Sequence, residues 1–387
     1  MKVISVVGAR PNFMKIGPLL EELRRVEGVE SVLVHSGQHY DEQMSAGFFR
    51  DLGLPKPDYN LEVASGSHAW QTAETMKRIE PLLLEHRPDL VIVVGDVNTT
   101  LAGALTASKL GLKIAHVEAG LRSFDLTMPE EINRKLTDAV ADFLLVTEES
   151  GVENLRHEGV PEERIFLVGN VMIDTLMRHR AMADKSETLE RLGLGTAGAA
   201  VLPYAVLTLH RPSNVDHPEV LGRILAALAQ VAESVPIYFP VHPRTRAQIE
   251  RAGLQHYFQP VQLPAPPRGM FLLDPQGYLD FLCLLDHARM VLTDSGGIQE
   301  ETTVLGVACL TLRENTERPV TLTQGTNTLV GSDPKRILNA AHKALSGDFV
   351  RGRRPALWDG KAAERIVKIL LERLQPDLLP ASGARSG

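Results

Sequence analysis

At 387 residues, of which 44% are hydrophobic, the chain exceeds the size at which one core usually stops growing, so two domains are expected. A formal net charge of -7 and a pI near 6.0 argue against a nucleic-acid-binding protein, which needs a basic face for phosphate contacts. The two cysteines, Cys283 and Cys309, stand in apolar runs and indicate buried thiols in a reducing compartment. No segment approaches the roughly 18 apolar residues of a membrane span, and the N-terminal apolar stretch is too short for a signal peptide. We therefore expect a cytoplasmic protein that makes no membrane contact.

Short apolar runs alternate with helix-length segments along the chain. The runs in the first 150 residues read VISVVG, VLVHSG, LVIVVGD, IAHVE and FLLVT, and those after about residue 200 read YAVLTLH, PIYFPVH, ARMVLTD and ACLTL. This alternation predicts an α/β fold with one parallel sheet in each half. A helical pattern over 171–192 separates the halves, so we place the domain boundary near residue 172. A further amphipathic helix is predicted over 359–374.

The sequence gives no sign of a nucleotide cofactor or a built-in metal. Residues 193–198 match the GxGxxG pattern, but they follow a helix and precede a strand, which reverses the order found in dinucleotide sites. No Walker A sequence, HExxH or DxD pair occurs. We expect neither a nicotinamide cofactor nor a metal.

The first strand runs into a sharp turn that precedes a helix. The turn reads GARP (8–11), and Arg10 and Lys15 stand close enough to neutralise the charge of a phosphate. A plain turn with surface charges is the alternative.

Acidic residues follow two later strands of the first half. Asp96 ends the strand over 91–95, although an Asp that merely caps the next helix would look the same. Glu118 ends the strand over 113–117, and the alternative of a solvated loop charge is weakened because Ala119-Gly120 forces a tight turn. Both carboxylates would lie where open α/β sheets bind ligands.

Two more acids open the helix that follows. Glu130 and Glu131 come directly after Pro129, a position where the helix dipole alone favours negative charge. The helix-dipole interpretation is therefore the stronger one for this pair taken in isolation.

The second half has its own strand-end groups. His210 and Arg211 follow a strand, where core packing does not explain them. His242 has the same placement, but Pro243 follows it, which favours a packed or turn histidine. The turn DSGG (294–297) lies between a strand and a helix, so that backbone N–H groups and the helix dipole would face an anion. Together with the acids of the first half, these groups predict a cleft between two domains that holds a phosphorylated small molecule.

These residues resemble the non-hydrolysing UDP-N-acetylglucosamine 2-epimerase family over nearly the whole chain. The motifs that carry the resemblance are GARPNFMKIGPL (8–19), GQHYDEQM (37–44), GDVNTTLAGAL (95–105), HVEAGLRS (116–123), PEEINR (129–134), HRPSN (210–214), DSGGIQEE (294–301), TERP (316–319) and GTNTLVG (325–331). The resemblance implies two Rossmann-like domains of glycosyltransferase-B type with the active site in the interdomain cleft. The first would comprise 1–172, joined by a returning helix at about 360–374, and the second, UDP-binding domain would comprise 173–359.

The resemblance also implies roles for individual residues. Catalytic positions fall on Asp96, Glu118, Glu130 and His210. Substrate-binding positions fall on Arg10 and Lys15 for the phosphates, Gln276 and Phe281 for the uracil region, Ser295, Gly296 and Gly297 for the diphosphate, Glu301 for the ribose, and Arg211 and Arg318 in the cleft.

Departures from the family pattern are few. Val97 replaces a usual threonine, Ser213 a usual acidic residue, and Val320 a common glutamate, and none of them removes a charged group from the catalytic set. Asp41 and Ala69-Trp70 fall near an allosteric substrate site of some members without aligning clearly, so we do not carry that site over.

The expected reaction is reversible C2 epimerisation of UDP-N-acetylglucosamine to UDP-N-acetylmannosamine, by elimination of UDP to a 2-acetamidoglucal and its re-addition. The nearest alternative keeps the reaction and changes the sugar to UDP-2,3-diacetamido-glucuronic acid. A glycosyltransferase of the same fold and a catalytically silent UDP-sugar sensor are more distant alternatives. The resemblance implies a homodimer and no cofactor.

Overall fold

The computed structural model describes residues 1–37, 52–349 and 352–378, except for the side chain of Arg10. These residues form two compact units, Met1–Thr175 together with the segment from Ala356 onward, and Leu176–Pro355. Each unit contains one parallel sheet, which confirms the predicted α/β class. In the described part of the chain, no helix is both long and apolar enough to cross a membrane.

The sheet of the first unit reverses its strand order in the middle. Its strands are β1 (Lys2–Val7), β2 (Glu30–His35), β3 (Tyr59–Asn60), β4 (Leu90–Val94), β5 (Ile114–Ala119), β6 (Phe143–Val146) and β7 (Ile165–Leu167). They pair in parallel in the order β3-β2-β1-β4-β5-β6-β7. Strands β2 and β3 therefore lie on one side of β1, and strands β4 to β7 lie on the other side. Ligands of open α/β sheets bind at such a switch point, outside the carboxyl ends of the strands.

The sheet of the second unit has the same kind of reversal. Its strands are β8 (Ala205–Thr208), β9 (Ile237–Pro240), β10 (Met270–Leu273), β11 (Met290–Thr293), β12 (Ala308–Thr311) and β13 (Asn327–Leu329). They pair in parallel in the order β10-β9-β8-β11-β12-β13. The switch point of this unit lies between β8 and β11.

The helices of the described residues mostly connect successive strands. They are α1 (Arg10–Arg24), α2 (His68–His86), α3 (Asn98–Lys109), α4 (Pro129–Val140), α5 (Glu149–His157), α6 (Val171–Ala183), α7 (Thr188–Arg191), α8 (Pro212–Val215), α9 (Pro218–Val231), α10 (Pro243–Arg251), α11 (Tyr278–Asp286), α12 (Gly296–Leu305), α13 (Val320–Thr323), α14 (Pro334–Ser346) and α15 (Ala362–Leu374). The pattern predicted as one helix over 171–192 forms two helices, α6 and α7. The predicted helix over 359–374 begins only at Ala362.

Strand β1 shows how the core of the first unit is built. Val3 and Val7 pack on one face of the sheet, and Ile4 and Val6 pack on the other. A strand that is buried on both faces reads as a continuous apolar run, which explains the sequence pattern. Each fully buried branched side chain stabilises the fold by about 1.5–3 kcal/mol.

The segment after Ala356 completes the first unit. Trp358 is fully buried, and its Nε1–H donates to the carbonyl of Thr147 at 3.0 Å. The Asp174 carboxylate accepts the backbone N–H groups of Ala362 at 3.1 Å and Ala363 at 2.7 Å. A carboxylate that accepts the first N–H groups of a helix caps that helix, so α15 begins where Asp174 holds it.

Candidate functional site

Glu118 lies at the carboxyl end of β5 in a strained backbone conformation. The strand continues past the predicted end to Ala119, with a bulge between Val117 and Ala119, and Glu118 has a φ of 74°. Positive φ is costly for a residue other than glycine and is typical of functional positions. The Glu118 side chain is buried, and its Oε2 forms an ion pair with Nζ of Lys15. The interpretation as a solvated loop charge does not fit this burial.

Gly95 and Asn12 shape the space around this ion pair. A Cβ atom at Gly95 would lie 3.2 Å from Nζ of Lys15, and Gly95 has a φ of 70°, so a side chain is disfavoured there. The Asn12 side chain accepts the N–H groups of Gly8 at 3.2 Å and Ala9 at 3.0 Å and donates to the carbonyl of Val94 at 3.0 Å. Asn12 thus joins the turn after β1 to the end of β4 across the switch point.

Asp96 follows β4 and pairs with an arginine of α4. Nε and Nη2 of Arg134 donate to Oδ2 of Asp96 at 3.1 and 2.9 Å, while Nη1 of Arg134 donates to Oε2 of Glu131. Glu131 also accepts the N–H of Ser123 at 2.8 Å and that of Phe124 at 3.1 Å. Glu131 therefore holds the loop before α4, and its partner Arg134 orients Asp96.

Glu130 differs from its neighbour Glu131. It lies half-buried in the first turn of α4, and it has no hydrogen bond or ion pair with any residue that the structure describes. The helix dipole is favourable for a negative charge at this position. Glu130 is therefore the one of the two adjacent acids that remains available to a ligand.

A network of buried charged residues fixes the turn that follows Glu118. The sequence patterns did not predict this network. His116 lies 2.6 Å from Asp138 through Nδ1 and 2.8 Å from the carbonyl of Gly95 through Nε2. The other Asp138 oxygen accepts the N–H of Gly120 at 3.0 Å and Nη1 of Arg122 at 2.7 Å. Burial raises the pKa of Asp138, but His116 and Arg122 outweigh burial and hold that pKa below its usual range. Asp138 thereby fixes the turn that directly follows Glu118.

At the second switch point, Asp294 and His210 form a hydrogen-bonded pair. Asp294 is fully buried and lies 2.8 Å from Nδ1 of His210. It also accepts the backbone N–H groups of His210 at 3.0 Å and Arg211 at 2.9 Å, and Nδ2 of Asn214 at 3.1 Å. Burial raises the pKa of Asp294, but the hydrogen bonds from His210 and from the two backbone groups outweigh burial and lower that pKa. The His210 side chain is half exposed, so its ring reaches solvent.

The glycine turn of the second unit begins α12 and lies against an arginine. A Cβ atom at Gly296 would approach Nη1 of Arg318 to 2.4 Å, so only glycine leaves room for this guanidinium. Arg318 donates from Nε to Glu300 at 2.6 Å and from Nη1 to Glu317 at 2.5 Å, which fixes its position. The helix N-terminus at Ser295–Gly297 and the neighbouring cation together suit an anion.

Glu301 is a buried acid on the same helix. The Tyr278 hydroxyl donates to Oε1 of Glu301 at 3.4 Å, while burial and the nearby Glu300 raise the pKa of Glu301 to about 8. A carboxyl that is largely neutral at pH 7 can both donate and accept hydrogen bonds. Tyr278 begins α11, the helix that carries Phe281, and Gln276 precedes this helix and donates to the carbonyl of Asp274 at 2.7 Å.

Several predicted features lie outside the described residues. They are most of the GQHYDEQM motif (37–44), including Asp41, and the side chain of Arg10. Within the described part of the chain, no group of three or more His, Cys, Asp or Glu side chains is arranged to hold a metal ion.

The chain is similar to known proteins over nearly its whole length. The sequence profile of the UDP-N-acetylglucosamine 2-epimerase family matches residues 21–371. The chain is 41% identical over 378 residues to the UDP-N-acetylglucosamine 2-epimerase of Methanococcus maripaludis, covering 97% of this chain and 100% of that protein. It is 39% identical over 373 residues to the UDP-2,3-diacetamido-2,3-dideoxy-D-glucuronate 2-epimerase of Pseudomonas aeruginosa, covering 96% and 99%.

A solved structure is similar at the level of the whole fold. The crystal structure of Methanocaldococcus jannaschii UDP-GlcNAc 2-epimerase in complex with UDP-GlcNAc and UDP matches with a TM-score of 0.85 and 41% identity, covering 96% of this chain and 100% of that one. This similarity and the two parallel sheets confirm the predicted glycosyltransferase-B type of fold. The chain belongs to the UDP-N-acetylglucosamine 2-epimerase family.

Proposed function

We propose that this protein interconverts UDP-N-acetylglucosamine and UDP-N-acetylmannosamine by inverting C2 of the sugar. The observation that carries the proposal is the set of carboxylates Asp96, Glu118 and Glu130 at the first switch point, in a chain whose second switch point has a glycine turn suited to a diphosphate. The carboxylates can transfer protons, and the glycine turn can bind an anion.

The chemistry of the sugar explains why both sets are needed. The C2 hydrogen is not next to a carbonyl, so a base cannot remove it by enolisation. Elimination removes the C2 proton while the C1–O bond breaks, and UDP leaves with the electrons of that bond to give a 2-acetamidoglucal. Protonation of C2 from the opposite face and return of UDP to C1 give the epimer. The overall reaction is an isomerisation.

In this proposal, the three carboxyl groups share the proton transfers. Lys15 forms an ion pair with Glu118 and Arg134 forms one with Asp96, so a cation holds each of these carboxylates in position. Glu130 has no such cation among the described residues and shares the proton transfers from the first turn of α4.

The remaining predicted residues bind the UDP portion in this proposal. Ser295, Gly296 and Gly297 bind the diphosphate together with Arg318, Arg211 and His210. These groups stabilise the charge that develops as the C1–O bond breaks. Glu301 bonds the ribose hydroxyls, and Gln276 and Phe281 contact the uracil region.

A second candidate sugar is UDP-2,3-diacetamido-2,3-dideoxy-glucuronate. The observation that favours it is the similarity to the Pseudomonas aeruginosa enzyme, which at 39% identity is nearly as strong as the 41% identity to the archaeal enzyme. In this proposal, both sugars would undergo the same reaction at the same residues of this chain.

The test incubates the protein with each UDP-sugar separately in D2O and follows the proton NMR spectrum. Loss of the C2 hydrogen signal of UDP-N-acetylglucosamine, with formation of UDP-N-acetylmannosamine, supports the proposal. Turnover of the uronate sugar alone assigns the second candidate. Release of free sugar and UDP identifies a hydrolysing enzyme and contradicts the proposal, as does the absence of turnover with both sugars.

We also propose a homodimer in solution, as the family resemblance implies. Light scattering after size-exclusion chromatography should give twice the chain mass of 42.4 kDa, and a mass of one chain would contradict this proposal.

A further inference from the structure

We infer that Asp294 is a positioning residue that accepts the Nδ1–H of His210 and fixes the ring, with Nε2 directed at the departing diphosphate. This inference rests on the proposed function, because it assigns to His210 a role in elimination. Asp294 does not itself touch the substrate in this scheme.

The hydrogen-bond geometry fixes which nitrogen carries the proton. Nδ1 of His210 lies 2.8 Å from a carboxylate oxygen of Asp294. The lowered pKa of Asp294 means that this carboxyl is ionised at neutral pH and can only accept hydrogen bonds. Nδ1 must therefore be the donor, and Nε2 is left for the solvent-facing side of the ring.

The backbone around His210 is fixed by the same carboxylate. Asp294 accepts the N–H groups of His210 and Arg211, so the carboxylate determines both the direction of the chain after β8 and the orientation of the ring. A buried carboxylate that binds Nδ1 of a histidine holds the tautomer and stabilises the imidazolium ion. An imidazolium ion donates a stronger hydrogen bond to a phosphate oxygen than a neutral ring does.

The adjacent Arg211 forms an ion pair with Glu317 at 3.9 Å. Asp294 is the acid that forms an ion pair with the His210 ring. Replacing Asp294 should therefore release the ring of His210 from its fixed orientation.

The first test is Asp294→Asn, which keeps the size of the side chain and removes its charge. We expect kcat to fall about 10²-fold with KM changed by less than about threefold, because general acid contributions have this size. A kcat within about threefold of that of the unchanged protein would overturn the inference.

Two controls separate positioning from simple structural support. Thr245→Val removes a buried hydrogen bond of 3.0 Å to the carbonyl of Leu209, next to the same histidine, and should lower thermal stability while kcat changes by less than about threefold. In the background of His210→Gln, the further change Asp294→Asn should cost less than about threefold in kcat, because the residue through which Asp294 acts is gone. A full additional loss of activity would show that Asp294 acts otherwise.

A measurement on the unchanged protein tests the inference even if the variant fails to fold or the proposed reaction is wrong. Long-range proton–nitrogen NMR spectra of protein labelled with ¹⁵N-histidine report which ring nitrogen is protonated, and His210→Gln assigns the signal. We expect neutral His210 to carry its proton on Nδ1. A proton on Nε2 would overturn the inference while leaving the proposed epimerase activity intact, whereas absence of turnover with the proton on Nδ1 would refute only the proposed function.

Discussion

At the switch point of the first unit the strand ends carry carboxylates paired with cations, whereas at that of the second unit they carry a histidine, a glycine turn and an arginine. Glu118 is bound to Lys15 and Asp96 to Arg134 in the first unit. In the second unit the acid at the switch point, Asp294, is buried and forms an ion pair with His210. The sheet topologies are of one kind, but the groups at their edges are suited to different chemistry.

The two switch points show that one type of sheet topology can support two kinds of chemistry. A strand end fixes the position of the backbone, and the chemical task depends on the side chains placed there. Ionised carboxylates suit proton transfer, while N–H groups at a helix start and cations suit a diphosphate. If the carboxylates transfer protons and the glycine turn binds the diphosphate, substitutions at the two switch points should have different effects.

The largest expected effect comes from Glu118→Gln in the first unit. This change removes a carboxylate that can accept a proton, so kcat should fall about 10³-fold, while UDP binding should change by less than about tenfold. Deuterium incorporation at C2 and calorimetric titration with UDP measure the two quantities. Glu85→Gln, at an exposed position of the same unit, is the control and should behave like the unchanged protein. Undiminished deuterium incorporation in Glu118→Gln would mean that proton transfer does not depend on this acid.

The second prediction concerns Glu301, the buried acid of the second unit, and the pH dependence of stability. Because the pKa of Glu301 is raised to about 8 from 4.5, the folded protein binds this proton more tightly than the unfolded chain does. Stability should therefore fall as the pH rises through the interval between these two values. Glu301→Gln removes this loss and should be more stable than the unchanged protein at pH 8 by on the order of 2–4 kcal/mol, with little difference near pH 4.5.

Urea unfolding followed by circular dichroism at both pH values measures this effect. Glu233→Gln, which changes an exposed acid in the same unit, should leave the pH dependence unchanged. If Glu301→Gln showed the same decline with pH as the unchanged protein, Glu301 would be ionised at neutral pH and the contrast between the two units would be weaker.

The third prediction is Gly296→Ala at the glycine turn. The added Cβ would collide with Nη1 of Arg318 at 2.4 Å, so the arginine must move out of the anion site. UDP should bind ten- to a hundredfold more weakly, which corresponds to about 1.4–2.7 kcal/mol. Gly222→Ala on α9 is the control, since its Cβ would meet only the Leu254 side chain at 3.6 Å. Equal UDP affinity in both variants would contradict an anion site at this turn.

The smallest expected effect concerns a feature that the two units share. Asn12 joins the turn after β1 to the carbonyl of Val94, and Asn214 joins Asp294 to the carbonyl of Leu312 at 2.9 Å. Each replacement by alanine leaves buried polar groups unpaired and should lower the free energy of unfolding by about 1–2 kcal/mol. Thermal unfolding of the two variants measures the cost. If only one of the two variants were less stable than the unchanged protein, the two asparagines would not stabilise their switch points in the same way.

Much of the fold and the outline of the site followed from local sequence patterns. Apolar runs marked the strands, and polar residues directly after them marked the strand ends at Asp96, His210 and Asp294. Such features depend on neighbouring residues and can be predicted without knowledge of the strand order.

Pairings between distant residues could not be predicted in this way. The bonds of His116 with Asp138 and of His210 with Asp294 depend on which strands and helices become neighbours, and the residues are 22 and 84 positions apart. The positive φ of Glu118 is likewise imposed by the bulge in β5 and by the turn that Asp138 holds. Glu130 and Glu131 differ in role because Arg134 binds Glu131.

The return of the segment after Ala356 has a consequence for the order of events during synthesis. A ribosome completes residues 1–175 long before it reaches Trp358 and α15, so the first unit must wait with an uncovered apolar face while the whole second unit is translated and folds. A premature stop codon late in the coding sequence would therefore damage the part of the protein that is made first and spare the part that is made last.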